Sequence, residues 1–251
     1  MIHRLDPRGK IVFTILFIVI VFWANNLITY GLLLFFTFWL IHLSKISLNY
    51  FFAGMKSFVY LALFVVVIQI FFSDGGITYW HWGIFRVTQM GLINAFYMFL
   101  RLLINLNIST ILTLTTSPLL IADSIESLLK PLSYFGVPVQ IIGLIISIAL
   151  RFIPTIADVA QKIVNAQMSR GVDFNAPSLK KRIMNIIPIL VPLLESNFKM
   201  ADELSEAMES RGYIPLAKRT HFHVMHWHWQ DSTAFGILGL LAVLLIILRQ
   251  S

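Results

Sequence analysis

The sequence predicts an all-α integral membrane protein with about five transmembrane helices and three amphipathic helices on the cytoplasmic side. Of its 251 residues, 58% are hydrophobic and only 12% are charged, which is about half the charged fraction of a typical soluble domain. The 21 phenylalanines and 6 tryptophans leave too little polar surface to cover a water-soluble body. The absence of cysteine excludes disulfides, cysteine-ligated zinc and iron–sulfur clusters.

The formal net charge of +7 fits binding either to nucleic acid or to anionic lipid. In a chain this apolar, basic loops set the orientation of the helices and lie against lipid headgroups. We therefore expect a multi-pass protein of the cell membrane, with lipid and not nucleic acid against its basic loops.

Five apolar stretches account for the predicted transmembrane helices: residues 11–24, 27–43, 51–72, 91–115 and 235–248. The first two are short against the roughly 20 residues that a crossing requires, so two full crossings and one re-entrant pair both remain open. The last stretch is expected to begin near Ser232. Between the third and fourth, the aromatic cluster at residues 79–82 predicts a turn at the membrane surface.

The composition changes after the fourth stretch. Residues 118–231 hold 11 of the 19 basic and 10 of the 12 acidic side chains. The positive-inside rule places this segment and the N-terminus in the cytoplasm. The predicted divisions are therefore N-terminal transmembrane helices (1–116), a cytoplasmic or interfacial module (117–231) and a C-terminal transmembrane helix (232–251).

The polar module is predicted to contain three helices. The first begins at Ser117-Pro118, an N-cap hydroxyl followed by proline at the first helical position, and ends near Lys130. Its acidic residues Asp123 and Glu126 are expected to face away from an apolar stripe. That stripe consists of Ile121, Ile125, Leu128, Leu129 and Leu132. Two longer helices follow, each apolar and proline-containing at first and polar towards its end.

The two longer helices end in the same short motif. The matching residues are Ala166, Ser169, Arg170 and Gly171 in the first copy and Ala207, Ser210, Arg211 and Gly212 in the second. Glycine favours the left-handed conformation that terminates a helix, and a cation is stabilised in the last turn. One copy alone is typical of an ordinary helix end. Two copies, 41 residues apart, suit a partner with two equivalent binding sites.

These motifs resemble those of the transmembrane T component of energy-coupling factor transporters, and the resemblance covers essentially the whole chain. It includes Leu-Asp-Pro-Arg at residues 5–8, Thr-Thr-Ser-Pro at 115–118 and Leu-Lys-Pro-Leu at 129–132. It implies a non-catalytic scaffold that joins two cytoplasmic ATP-binding-cassette ATPases to a membrane-embedded S component, which binds a vitamin or a metal ion. It also implies that Arg170 and Arg211 dock on the ATPases, and that ATP binds to those partners while this chain binds no cofactor.

The surface for the S component is expected on the first amphipathic helix and beside the charged residue within the fourth span. Its candidate residues are Ile121, Ile125, Leu128, Leu129, Leu132 and Arg101. A charge within a membrane span is costly, by roughly 2.5–3.5 kcal/mol on insertion scales, and is a functional candidate for that reason. The alternative for Arg101 is a buried structural arginine.

A histidine-rich tract supports an alternative function, an intramembrane enzyme or a metal-binding membrane protein. The tract contains His221, His223, His226 and His228. Interleaved tryptophans favour an aromatic belt at the membrane interface instead, so we expect no metal site. The acidic run from Asp202 to Glu209 is interpreted as a solvated helix face. The sequence has no phosphate-binding glycine loop or nucleophile–base pattern, so we expect no catalytic residue and no ATP hydrolysis by this chain.

Overall fold

The computed structural model describes residues 5–44, 48–72, 75–82, 85–172, 174, 178–214 and 227–250. These residues form eight α-helices, one short 3-10 helix and a two-stranded hairpin. The α-helices are α1 (Pro7–Val21), α2 (Leu27–Ser44), α3 (Leu48–Phe72), α4 (Gln89–Thr115), α5 (Pro118–Leu129), α6 (Val139–Ser169), α7 (Leu179–Ser210) and α8 (Trp229–Gln250). The predicted all-α class is confirmed.

Five of the described helical segments are long and apolar enough to cross a membrane: Leu27–Ser44, Gln89–Thr115, Val139–Ser169, Ile183–Ser210 and Trp229–Arg249. Their number agrees with the sequence prediction, but their identities differ in part. Helix α1 has only 15 residues, and the third stretch contributes the shorter apolar segment Phe58–Phe72. Helices α6 and α7 meet the length criterion because each begins with a long apolar half. Their predicted place in the cytoplasmic module stays a prediction.

The chain divides into two compact units, residues 1–124 with 223–251 and residues 125–222. Helices α1 to α4, the first part of α5 and α8 belong to the first unit. The second unit contains the end of α5, the 3-10 helix, α6 and α7. The divisions at 116 and 231 drawn from the sequence rest on charge and membrane location, and they stay predictions.

The core of the first unit lies among α1, α2, α4 and α8. Its fully buried side chains include Phe17 on α1, Tyr30 and Leu33 on α2, Ile104 on α4 and Leu245 on α8. Helix α3 packs against α4 outside this core. Large apolar side chains also point outwards in this unit, as on the α2 surface that faces away from the core, which is the pattern of a bundle surrounded by lipid.

The aromatic turn before α4 is a β-hairpin, a structure that the sequence prediction of a simple turn missed. Strand β1 (Thr78–Trp82) pairs antiparallel with β2 (Phe85–Thr88), with an irregularity near the start of β1. The hairpin leads directly into α4. Thr88, the last residue of β2, caps that helix, since its hydroxyl accepts a hydrogen bond from the Gly91 N–H (3.0 Å).

In the second unit α6 packs against α7, and the 3-10 helix (Lys130–Phe135) packs against α6. The end of α5 also meets α6, where the Glu126 side chain lies against Gly143. A Cβ at residue 143 would collide with that side chain, so the close approach requires glycine. The Glu126 side chain, which was expected to face away from the apolar stripe of α5, is half-buried and lies against α6.

Candidate functional site

Helix α5 begins where the sequence predicts. The Leu120 N–H donates to the Ser117 hydroxyl (3.4 Å) and the Ile121 N–H to the Ser117 carbonyl (3.0 Å). The apolar stripe is largely exposed, with Ile121 half-buried and the other four members 39–43% exposed: Ile125, Leu128, Leu129 and Leu132. The buried residues of α5 are instead Ala122 and Ser124. The stripe is thus accessible to a partner, and its role in binding one stays a prediction.

The end of α6 forms a closed cap, which we call the first tip (residues 169–171). Gly171 has φ +85°, and its N–H donates to the Met168 carbonyl (2.9 Å). The Val172 N–H then reaches back to the Gln167 carbonyl (3.1 Å). These two bonds are the Schellman pattern, which satisfies carbonyls that a helix end otherwise leaves open. Arg170 is the capping residue, and its side chain is exposed.

The end of α7 repeats this geometry in the second tip (residues 210–212). Gly212 has φ +73° and donates its N–H to the Glu209 carbonyl (2.9 Å). The Tyr213 N–H donates to the Met208 carbonyl (3.0 Å), which completes the same pair of bonds. Arg211 caps the helix and is exposed.

The two helices that carry the tips are nearly equal in length, with 31 residues in α6 and 32 in α7. In each tip the serine hydroxyl donates to a carbonyl of the preceding turn, from Ser169 to Asn165 and from Ser210 to Ala207, both at 3.1 Å. Neither Gly171 nor Gly212 has another group within 4 Å of the place where a Cβ would lie. The repeated motif therefore has one backbone geometry at both positions and presents two exposed guanidinium groups.

A hydrogen bond joins the last turn of α6, which carries the first tip, to α7. Proline has no N–H, so Pro192 leaves the carbonyl of Pro188, four residues earlier, without its helical partner. The side-chain amide of Gln167 donates to that carbonyl at 3.3 Å. The structurally equivalent residue of the second tip is Met208, whose side chain has no such donor. The first tip is therefore fixed to α7, and the second is carried by its own helix.

This bond also allows the separation of the tips to be estimated. The first tip contacts α7 near Pro188, and Arg211 lies at the far end of the same helix. With a rise of about 1.5 Å per helical residue, the path from Pro188 to Arg211 is roughly 35 Å long. The two arginines are consequently on the order of 30 Å apart, too far to bind one ligand group together.

Arg101 is engaged within the first unit. Its Nη2 donates to the Tyr30 hydroxyl (3.0 Å), and its guanidinium lies 5.1 Å from the centre of the Phe22 ring. Tyr30 is itself fully buried and stacks on Tyr97 with 5.2 Å between ring centres. These contacts favour the structural alternative for Arg101, while a place at the S-component surface stays a prediction.

The histidine tract falls mostly outside the described residues, which include none of His221, His223 and His226. The described His228 uses its backbone N–H to bond the Asp231 carboxylate (2.8 Å). Among the residues that the structure describes, no group of three or more histidine and carboxylate side chains could hold a metal. The acidic side chains of α7 are exposed, as predicted: Asp202, Glu203, Glu206 and Glu209.

Two features of the structure, one in each unit, were not anticipated from the sequence. The first is the donor role of Gln167, which the spacing of Pro188 and Pro192 could have indicated, because each proline releases a carbonyl one turn earlier. The second is the burial of Asp231, which is only 2% exposed. Its position in the first turn of α8 is a local signal for capping, but nothing local indicates its other contacts.

Comparison with known proteins gives a consistent result. The model of the CbiQ family, described as cobalt transport protein, matches residues 1–222. The chain is 44% identical over 246 residues to the energy-coupling factor transporter transmembrane protein EcfT of Streptococcus thermophilus, covering 98% of this chain and 92% of the relative. It is 45% identical over 249 residues to EcfT of Streptococcus equi subsp. equi (99% and 93% covered). The EcfT of Lactobacillus helveticus is 47% identical over 249 residues (99% and 90% covered).

The two tip glycines should be selectively intolerant of side chains. Gly171→Ala and Gly212→Ala each place a Cβ in the left-handed region, at a cost of about 1 kcal/mol without any clash. Gly236→Ala is the control, because that glycine of α8 also has open space around it but no positive φ. Thermal unfolding of the purified chain in detergent measures the difference. An equal loss of thermal stability in Gly236→Ala would contradict a conformational role of the two tip glycines.

The bond between Gln167 and Pro188 should be detectable in a double-mutant cycle. Gln167→Ala removes the donor and should cost about 1 kcal/mol, whereas in a Pro192→Ala background the restored backbone N–H supplies a donor and the cost should nearly vanish. Gln161→Ala is the matched control, since that exposed amide of α6 bonds the Asn165 side chain of its own helix. Equal costs of Gln167→Ala in both backgrounds would exclude the bond.

Proposed function

The chain belongs to the family of transmembrane T components of energy-coupling factor transporters, and we propose that it is the scaffold that couples two ATPases to substrate uptake. In this proposal two cytoplasmic ATP-binding-cassette ATPases bind the two tips. A membrane-embedded S component binds the substrate, a vitamin or a metal ion, and is reoriented when ATP is hydrolysed. The chain itself binds no cofactor and carries no catalytic residue.

The observation that supports this proposal most directly is the repeated tip geometry. Two helices of nearly equal length end in the same Schellman cap with the same exposed arginine. A dimer of similar ATPases offers two equivalent binding sites, and two equivalent protrusions on one chain match it. A separation on the order of 30 Å suits one tip for each subunit.

The chemistry of the tips also supports docking through arginine. The Schellman bonds satisfy two carbonyls in the last turn of each helix, and the exposed guanidinium beside them is available to recognise a partner. Arginine presents several N–H donors in a rigid plane, and two of them can form a bidentate pair of hydrogen bonds with a carboxylate. Each such contact contributes about 1.5–3 kcal/mol. Lysine, a flexible point charge, cannot reproduce it.

Coupling requires that motion of the ATPases reach the membrane. ATP binding closes the ATPase dimer, and the tips move with the subunits that hold them. Because the first tip is bonded to α7 through Gln167, displacement at one ATPase acts on both helices. Helices α6 and α7 then transmit the motion to the S component, and so does the stripe on α5.

Exposed apolar surface supports a membrane-embedded partner for α6 and α7. The apolar halves of these helices carry large side chains that are 49–69% exposed on this chain: Ile145, Ile153, Ile183, Val191, Leu190 and Phe198. Apolar area of this extent marks a protein or membrane contact. We assign it to the S component and lipid at the membrane interface, so that the N-terminus and the module of residues 117–231 lie on the cytoplasmic face of the membrane, with α6 and α7 at the interface.

Reversing the charge of the tips should separate the scaffold from its ATPases. Arg170→Glu and Arg211→Glu each remove a contact of about 1.5–3 kcal/mol and should lower ATPase affinity roughly 10- to 150-fold. Both should abolish transport and leave membrane insertion unchanged. Affinity purification of the tagged chain from its membrane, with quantification of the co-purified subunits, provides the measurement.

Two exposed lysines on the same helices are matched controls, Lys162 on α6 and Lys199 on α7. Their reversal to glutamate changes the net charge equally but lies away from the tips, so ATPase recovery should remain at the wild-type level. Normal recovery from the double variant Arg170→Glu with Arg211→Glu would overturn the proposed docking.

A further inference from the structure

One buried carboxylate joins the beginnings of two helices in the first unit. Asp231 is 2% exposed. Its Oδ1 accepts the N–H of Asp6 (3.0 Å), which is the N-cap residue of α1. Its Oδ2 accepts the N–H of His228 (2.8 Å), the residue immediately before α8. A single side chain therefore caps α8 from within its first turn and holds the start of α1.

The two helix beginnings make this burial of a charge possible. Each helix N-terminus carries a partial positive charge, and the two N–H donors point at the two carboxylate oxygens. Gly9 of α1 lies beside this carboxylate, since a Cβ there would be in ordinary van der Waals contact with Oδ1 of Asp231, at 3.5 Å. The Asp6 side chain caps its own helix through the Arg8 N–H (2.9 Å).

Lys10 extends these contacts to a third helix. The residue is 7% exposed and interacts electrostatically with both Asp231 and Asp6. Its Nζ donates to the carbonyl of Thr115 (3.3 Å), the last residue of α4. A cation is stabilised at a helix C-terminus, where carbonyls lack helical partners. The contacts thus run from α8 to α1 and on to the end of α4.

The end of α4 is also where the polar part of the chain begins. Thr115 is separated from the first residue of α5 by only Thr116 and Ser117. Thr116 is buried, with 4% exposure. The backbone that leads into α5 is therefore held beside α1 and α8 by the Lys10 bond.

We propose that Asp231 and Lys10 are positioning residues for coupling. They hold the junction of α4 and α5 against α1 and α8, so that a displacement arriving along α5 moves these membrane helices as one body. Without the two charges, the junction of α4 and α5 moves independently of α1 and α8, and ATP hydrolysis proceeds without moving the S component. This inference rests on the proposed function, but it concerns residues of the first unit, whereas both tips belong to the second.

The test uses the complete complex in liposomes. Asp231→Asn and Lys10→Met preserve side-chain size and remove one charge each. We expect normal recovery of ATPases and normal ATP hydrolysis, with transport per ATP hydrolysed reduced about tenfold. Lys10→Arg keeps the cation and should restore most of that ratio. Asp158→Asn, which neutralises an exposed carboxylate of α6, should leave it unchanged.

A wild-type ratio in both Asp231→Asn and Lys10→Met would overturn the inference, and so would a parallel loss of hydrolysis and transport. If the variants do not fold, hydrogen exchange on the wild-type complex decides. Amides at residues 111–117 should stay equally protected with and without ATP, and loss of their protection on ATP binding would contradict a rigid junction. Failure of the proposed function has a different signature, since no ATPase would then be recovered with the wild-type chain.

Discussion

The left-handed backbone at two glycines is the constraint on which the candidate site depends. Gly171 and Gly212, with φ of +85° and +73°, end their helices and return two N–H groups to the last turn. Two carbonyls of each last turn are thereby satisfied, and the neighbouring arginine is exposed and available for recognition. The spacing of the tips follows from a second local constraint, the carbonyl released by Pro192 and bonded by Gln167. Glycine thus determines the shape of each tip, and proline creates the contact from which the separation of the two tips is estimated.

The buried charges of the first unit are governed by a second constraint, the apolar environment around them. Such a surrounding tolerates a buried charge only when backbone or side-chain groups compensate it. Asp231 meets two helix beginnings and Lys10 meets a helix end. Arg101 meets a tyrosine hydroxyl and an aromatic ring. Each of these charged side chains connects different helices. Apolar contacts within the bundle have little directionality, so these polar contacts are the ones that define which helix ends lie together.

Local signals in the sequence were sufficient for the helix ends and not for their contacts. Ser117-Pro118 and both Arg-Gly pairs predicted a helix start and two helix ends, because capping depends on neighbouring residues. The partners of Asp231, Gln167 and Arg101 lie 225, 21 and 71 residues away, and no periodicity encodes such pairings. Hydropathy gave the number of long apolar helices but not their identity, since the apolar halves of α6 and α7 have the same composition as a membrane span. Likewise, nothing local in the sequence indicates that the Glu126 side chain lies against Gly143.

Site-directed cross-linking tests most directly whether the two tips are where the ATPases bind. The chain contains no cysteine, so Ser169→Cys and Ser210→Cys each create one unique thiol next to a tip arginine. A short thiol-linked photo-cross-linker at either position in the transport-competent complex should capture an ATPase subunit. The same reagent at Thr113→Cys, an exposed position of α4, should capture none. Capture of no ATPase from either tip, in complexes that still transport, would contradict the account.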